Sequence, residues 1–131
     1  MSKPVVEIRI TTPDEKSTTV KAVFDTGSFY SILRADKVPP GAPVIQRLHP
    51  RFFRTAAREG SLRATGELPV VLTIGDREVD DVVMVSPELS QELIVGAGTM
   101  QKWDISILTR DGRTEVHVGR HMHDPDVTEV D

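Results

Sequence analysis

The sequence contains no cysteine. Disulfide scaffolds, thiolate-bound zinc and cysteine nucleophiles are therefore excluded. It also lacks an excess of positive charge, with Lys+Arg 16 against Asp+Glu 20 and a formal net charge of −4. That sign argues against a nucleic acid as the main partner. No apolar run approaches the roughly 20 residues that a membrane-spanning helix needs. The start, Met1-Ser2-Lys3-Pro4, leads directly into alternating Val and charged residues, without the apolar run and cleavage site of a secretory leader. A soluble, cytoplasmic protein is the expectation. Internal repeats and low-complexity tracts are missing too. What remains is 131 residues, 38% hydrophobic and 27% charged, the size and balance of one globular domain.

Short alternating segments dominate. Val5 to Thr11 sets Val6, Ile8 and Ile10 against Glu7, Arg9 and Thr11, the two-residue period of a half-buried strand. Ser17 to Phe24 repeats the pattern after the polar turn Thr12 to Lys16, which predicts an N-terminal hairpin. Phe52 to Ala57 and Leu62 to Ala64 flank Arg58-Glu59-Gly60-Ser61, a second hairpin. Leu68 to Ile74 and Val79 to Val85 flank Gly75 to Glu78, a third. Asp104 to Leu108 and Thr114 to Val118 bracket Asp111-Gly112, a pair suited to tight hairpin turns. Helical turns are predicted at Pro87 to Leu89, capped by Ser86, and at Thr99 to Trp103. Many short strands with regular turns predict an all-β barrel or sandwich. Residues 1–119 form the predicted domain, and 120–131 read as a flexible, solvated tail with an acidic end.

The segment that carries chemistry is Ala22-Val23-Phe24-Asp25-Thr26-Gly27-Ser28. A carboxylate at the end of an apolar strand is costly unless neighbours donate to it. The Gly27 amide and the Thr26 and Ser28 hydroxyls are candidate donors, and Gly27 has no Cβ to hold its amide away. The plain alternative is a strand-to-turn junction whose Asp accepts from local backbone.

The order of several motifs resembles the retropepsin-like aspartic proteases over about Val5 to Val118. Ala22 to Leu33 looks like that family's Asp-Thr-Gly-Ser loop. Phe53 to Gly66 looks like its flap, with Ala56, Ala57, Arg58, Glu59, Gly60 and Ser61 at or near the tip. Glu92-Leu93-Ile94-Val95-Gly96 resembles its second hallmark, aliphatics before Gly that lead into a short helix. The resemblance implies a closed barrel with a flap hairpin, one short helix near the C-terminal part, and a two-fold homodimer. Two departures stand out. Gly98 occupies a position where the family usually has Asp or Asn, and Phe29-Tyr30 stand where retroviral members carry acidic residues.

Acid peptide hydrolysis uses two carboxylates sharing one proton. Two like charges about 3 Å apart cannot both ionise, so the pair titrates in two split steps. This chain offers one Asp-Thr-Gly. Asp76 and Asp111 lie in polar turns, so the second Asp25 has to come from another copy, and two-fold dimers are the commonest oligomers. Asp25 is then general base in one subunit and general acid in the other. The resemblance implies that Thr26 reaches the opposite chain, that Gly27 accepts from substrate backbone, and that no cofactor is needed. A Ser28 hydroxyl donating to Asp25 would lower the pair's pKa and give an acidic optimum.

The expected substrate is an extended, mainly apolar polypeptide bound as an added strand. Pocket candidates are Phe29, Ile32, Val83, Met84 and Ile94, whose plain alternative is ordinary core. Trp103 is expected in the core. His121, His123 and Asp124 are close in sequence but read as a tail and not as a metal site. Arg47, Arg51, Arg54, Arg58 and Arg63 make the middle of the chain basic. A solvated face, a nucleic-acid stripe and a device for acidic substrates are its readings, and the net charge favours the first. The reading from another functional class is a catalytically silent dimerisation or peptide-binding module on the same fold.

Overall fold

Period-two alternation builds most of the molecule. The structure, a computed structural model, describes residues 4–54 and 61–125. β1 (Val5–Thr11) buries Ile8 and Ile10, and β2 (Ser17–Asp25) buries Val20, Ala22 and Phe24. They pair antiparallel from Val5↔Val23 to Thr11↔Ser17, the predicted hairpin. Then follow β3 (Ile32–Arg34), a 3₁₀ turn (Ala35–Lys37), β4 (Ile45–Arg54), β5 (Ser61–Ile74), β6 (Arg77–Ser86) and β7 (Leu93–Gly96). The one α-helix among the described residues, α1 (Ala97–Trp103), precedes β8 (Ile105–Arg110) and β9 (Arg113–Val118).

Six strands close on themselves in the order β1-β2-β7-β3-β6-β5, and β5 returns to β1 through Arg9↔Thr73, Ile10↔Leu72 and Thr11↔Val71. Closure leaves those strands without open edges. β4 is added outside the ring and, among the described residues, pairs only with β5. The barrel is filled by aliphatics, and Ile10, Val20, Leu33, Leu68, Leu72, Val79, Val83, Leu93 and Val95 are all under 2% exposed. Each such side chain stabilises by about 1.5–3 kcal/mol relative to exposure. β7 lies between β2, to which it is parallel, and β3, to which it is antiparallel. Leu93 and Val95 face the barrel core and half-buried Ile94 packs on the other side against the Ile32–Met84 cluster, so both faces of β7 meet apolar side chains, which explains the unbroken Leu93-Ile94-Val95 run.

Three differences from the sequence reading have physical causes. Leu62–Ala64 and Leu68–Ile74 are not separate strands. They belong to one 14-residue strand, with every even position from Leu62 to Ile74 buried. Gly66 continues the alternation where β4 crosses, since a Cβ there would lie 2.7 Å from Val44 Cγ1 and 3.1 Å from the Ile45 carbonyl oxygen. Pro87–Leu89 form a turn without a helix. The Ser86 hydroxyl accepts the Glu88 N–H at 3.2 Å, but β7 begins too soon for a helix to propagate. Arg120 to Pro125, read as the start of a solvated tail, are docked. Arg120 N–H donates to the Trp103 carbonyl at 2.9 Å, Met122 N–H to the Glu78 carbonyl at 2.8 Å, and His123 meets Glu78 at 2.8 Å. Residues 126–131 lie outside the described part.

Other expectations hold. Asp111 and Gly112 take φ of 49° and 73° at the β8–β9 turn. Trp103 is 8% exposed and donates its indole N–H to the Asp80 carbonyl at 3.0 Å. Among the described residues, no helix is long and apolar enough to cross a membrane.

Candidate active site

β2 and β7 run parallel and end together, with Asp25 opposite Gly96. Ala22, Val23 and Phe24 are buried, and Asp25 emerges half-buried where the strand stops. The chain then folds back on the carboxylate. Gly27 N–H donates to Asp25 Oδ1 at 2.9 Å, and Ser28 N–H donates to the Asp25 carbonyl at 3.2 Å. A Cβ on Gly27 would sit 3.1 Å from that same Oδ1, so a bare backbone lets the amide approach. Thr26 is exposed at the turn.

Ser28 departs from expectation. Its hydroxyl donates to the Tyr30 carbonyl at 2.8 Å. A hydroxyl has one proton, so that donation is spent on the loop backbone and not on Asp25. Ser28 shapes the loop.

Gly96 shows why an aliphatic run has to end in glycine here. A Cβ on Gly96 would lie 2.5 Å from the carbonyl oxygens of both Phe29 and Tyr30. The loop after Asp25 is pressed directly onto β7. The start of α1 then bonds that loop, Ala97 N–H to the Ser28 carbonyl at 2.6 Å and Gly98 N–H to the Phe29 carbonyl at 2.9 Å.

A buried polar chain locks the same junction. Gly96 N–H donates to Ser31 Oγ at 3.0 Å, Ser31 Oγ meets Thr99 Oγ1 at 2.6 Å, and Thr99 donates to the Asp81 carboxylate. Since the Thr99 proton goes to Asp81, the Ser31 hydroxyl donates to Thr99 while accepting from Gly96. Ser31 is 3% exposed and Thr99 5%, so the two links made by Ser31 lie away from water, where a lost partner is costly, and the Thr99–Asp81 link is part-buried. Gly98 carries no side chain for anchoring, and Thr99 does that work one residue later. The sequence reading missed Ser31, Thr99 and Asp81 as a group. Nothing in a one-dimensional pattern joins residues that far apart.

The pocket candidates separate. Ile32 and Met84 lie in an apolar cluster with Leu62, Ala64 and Leu89, and Tyr30, Phe53 and Ile94 pack against it. Val83 does not belong there. It points into the barrel core at 1% exposure, because adjacent strand residues face opposite ways. Phe29 is 61% exposed and stands edge-on to Tyr30, ring centroids 5.2 Å apart. The two help line a cavity of about 360 Å³ together with Glu67, Asp81, Met84 and Thr99. A larger cavity of about 460 Å³ is lined by Thr11, Thr12, Asp80, Lys102 and Met122 among others, and by no residue of the Asp25 loop. Chemistry and not size therefore singles out the site. Ser61 opens β5, exposed and opposite Arg54. Ala56, Ala57, Arg58, Glu59 and Gly60 lie outside the described residues.

Comparison with known proteins agrees with this geometry. A family model described as retroviral aspartyl protease matches residues 1–108. No curated protein matches the sequence. Among solved structures, the retroviral protease-like domain of Ddi1 from Leishmania major superimposes with a TM-score of 0.58 at 17% identity, covering 96% of this chain and 100% of that one. EIAV protease complexed with the inhibitor HBY-793 gives a TM-score of 0.57 at 15% identity, covering 82% of this chain and 94% of that one. At such identities the structural likeness speaks for the fold, and the family model carries the assignment. The chain belongs to the retroviral aspartyl protease family.

Proposed function

We propose that the chain is an aspartic endopeptidase, active as a two-fold homodimer in which each subunit supplies one Asp25. The observation that carries this reading is the placement of Asp25 at the end of a buried strand, cradled by the Gly27 amide and backed by the Gly96 junction. Asp76 and Asp111 are exposed in hairpin turns and have no such setting.

In the proposed dimer the two carboxyls share one proton, since a second charge at about 3 Å is prohibitive. The ionised member takes a proton from water as the water oxygen attacks the peptide carbon. The protonated member donates to the carbonyl oxygen. Collapse of the tetrahedral intermediate breaks the C–N bond and returns a proton to the leaving amine. Thr26, exposed beside Asp25, meets the partner's loop in this dimer. The β4–β5 hairpin acts as the flap, and substrate adds as an extended strand with backbone pairing for affinity and alternate side chains in pockets. The nucleophile is water between carboxylates, so this chemistry calls for no cofactor.

Asp25→Asn tests the reading. Cleavage of an unfolded protein substrate is expected to fall by about 10²–10⁴-fold or more, with dimer mass and circular dichroism unchanged. Cleavage that survives the substitution would sink the proposal. A wild-type dimer that cleaves nothing across the acidic and neutral range would instead support the silent-module reading.

A further inference from the structure

The arginines of the central hairpin have unequal fates. Arg47 is paired with Glu67 at 2.7 Å, and Arg63 with Glu88 at 3.4 Å. Arg51 meets no carboxylate among the described residues. Its guanidinium lies 4.4 Å over the Tyr30 ring and 5.4 Å from the Phe53 ring, whose own centroids are 5.4 Å apart. Stacking uses the face of a guanidinium and leaves its N–H edge free for a bidentate acceptor.

The Tyr30 half of the platform beneath Arg51 is fixed. Tyr30 belongs to the Asp25 loop, its carbonyl receives the Ser28 hydroxyl, and the same carbonyl leaves no room for a Cβ on Gly96. Phe53 and Arg51 are two apart on β4, so they share a face, and Phe53 packs against the Ile32–Met84 cluster. A peptide paired as an added strand has the same period. Side chains two apart on the peptide therefore match the Phe53–Arg51 spacing. Two other carboxylates border the cavity beside Tyr30, and both are engaged, Glu67 by Arg47 and Asp81 by Thr99.

We propose that Arg51, seated on Tyr30 and Phe53, docks a substrate carboxylate, so that the site selects peptides with Asp or Glu two residues from the apolar side chain that enters the Phe53–Ile32–Met84 cluster. The inference rests on the peptide-cleaving reading of this site and adds a substrate class to it. It assigns to one arginine the acidic-substrate role that the basic middle of the sequence left open.

The test reads binding apart from turnover. Fluorescein-labelled decapeptides share one central Leu and carry Glu, Ala or Lys two residues before it, or two residues after it. They are titrated into the Asp25→Asn protein by fluorescence anisotropy, and the same peptides are offered to the wild type for cleavage. In one of the two frames, Glu is expected to bind about fivefold tighter than Ala and about tenfold tighter than Lys, an advantage that shrinks as salt rises. Arg51→Glu in the Asp25→Asn background reverses the order, and Arg51→Lys keeps only part of it. Equal affinities for the three peptides, undetectable binding of all of them, or a Glu preference that persists in Arg51→Glu would overturn the inference. Wild-type cleavage without discrimination removes the Arg51 role and leaves the protease reading standing. Discrimination by the Asp25→Asn protein with no wild-type cleavage does the reverse.

Discussion

The two ends of β5 share one sequence pattern and differ in their neighbours. From Leu68 to Ile74 the strand pairs with β6 throughout, and Val71 to Thr73 also pair with β1. Leu68 and Leu72 are 0% exposed there. From Ser61 to Ala64 it pairs with β4 alone, and every residue of β4 except the half-buried Arg47 and Phe53 is exposed. Alternation is as regular in one half as in the other. The difference teaches that period two specifies a strand with one apolar face, while whether its partner strand belongs to the closed ring decides how firmly that strand is held. The proposed flap draws on the less supported half, as elements that move in function generally do.

The strongest way to break this comparison is truncation. Leu72→Ala opens a cavity in the closed ring and is expected to cost about 2–5 kcal/mol in urea unfolding, whereas Leu62→Ala, beneath the two-stranded half, costs about 2 kcal/mol or less because that half can settle. Equal losses would mean the hairpin is as rigid as the barrel. Amide hydrogen exchange sharpens the same point, with Ser61–Ala64 opening locally and Leu68–Ile74 only near global unfolding.

A smaller effect is expected where loop meets helix. Thr99→Val removes the link between Ser31 and Asp81 and leaves both groups short of a partner, a cost of about 1–3 kcal/mol. If the chain positions the catalytic loop, proteolytic turnover drops more than peptide binding does. Matching losses in both would assign Thr99 to stability alone. The smallest effect belongs to Ser28. Because its proton goes to the Tyr30 carbonyl, Ser28→Ala is expected to leave the acidic limb of the pH–rate profile in place. A clear rise of that limb would show direct donation to Asp25 in the proposed dimer.

Much of the fold was legible in order. The hairpins of β1–β2, β5–β6 and β8–β9 follow from alternation and turn residues. The loop from Asp25 to Ser28 stands out because a carboxylate is costly at the end of an apolar strand, and the aliphatic run ending at Gly96 stands out through its resemblance to a family hallmark. Less was legible wherever two distant segments had to meet. Val83 and Met84 look equivalent as letters, yet one fills the barrel and the other the cluster under the hairpin. Gly66 reads as a break until β4 crosses it. A hydroxyl such as Ser28 advertises a donor without naming its acceptor.

Sequence alone determined which residues share a strand face, where turns fall, and which carboxylate ends an apolar strand, because these depend on period and on local backbone chemistry. Tertiary structure alone decided that Gly96 must be bare beneath Phe29 and Tyr30, that Ser31 reaches Asp81 through Thr99, and that Arg51 rests on an aromatic shelf. Those contacts join segments separated by tens of residues, and their geometry is set only when the barrel closes.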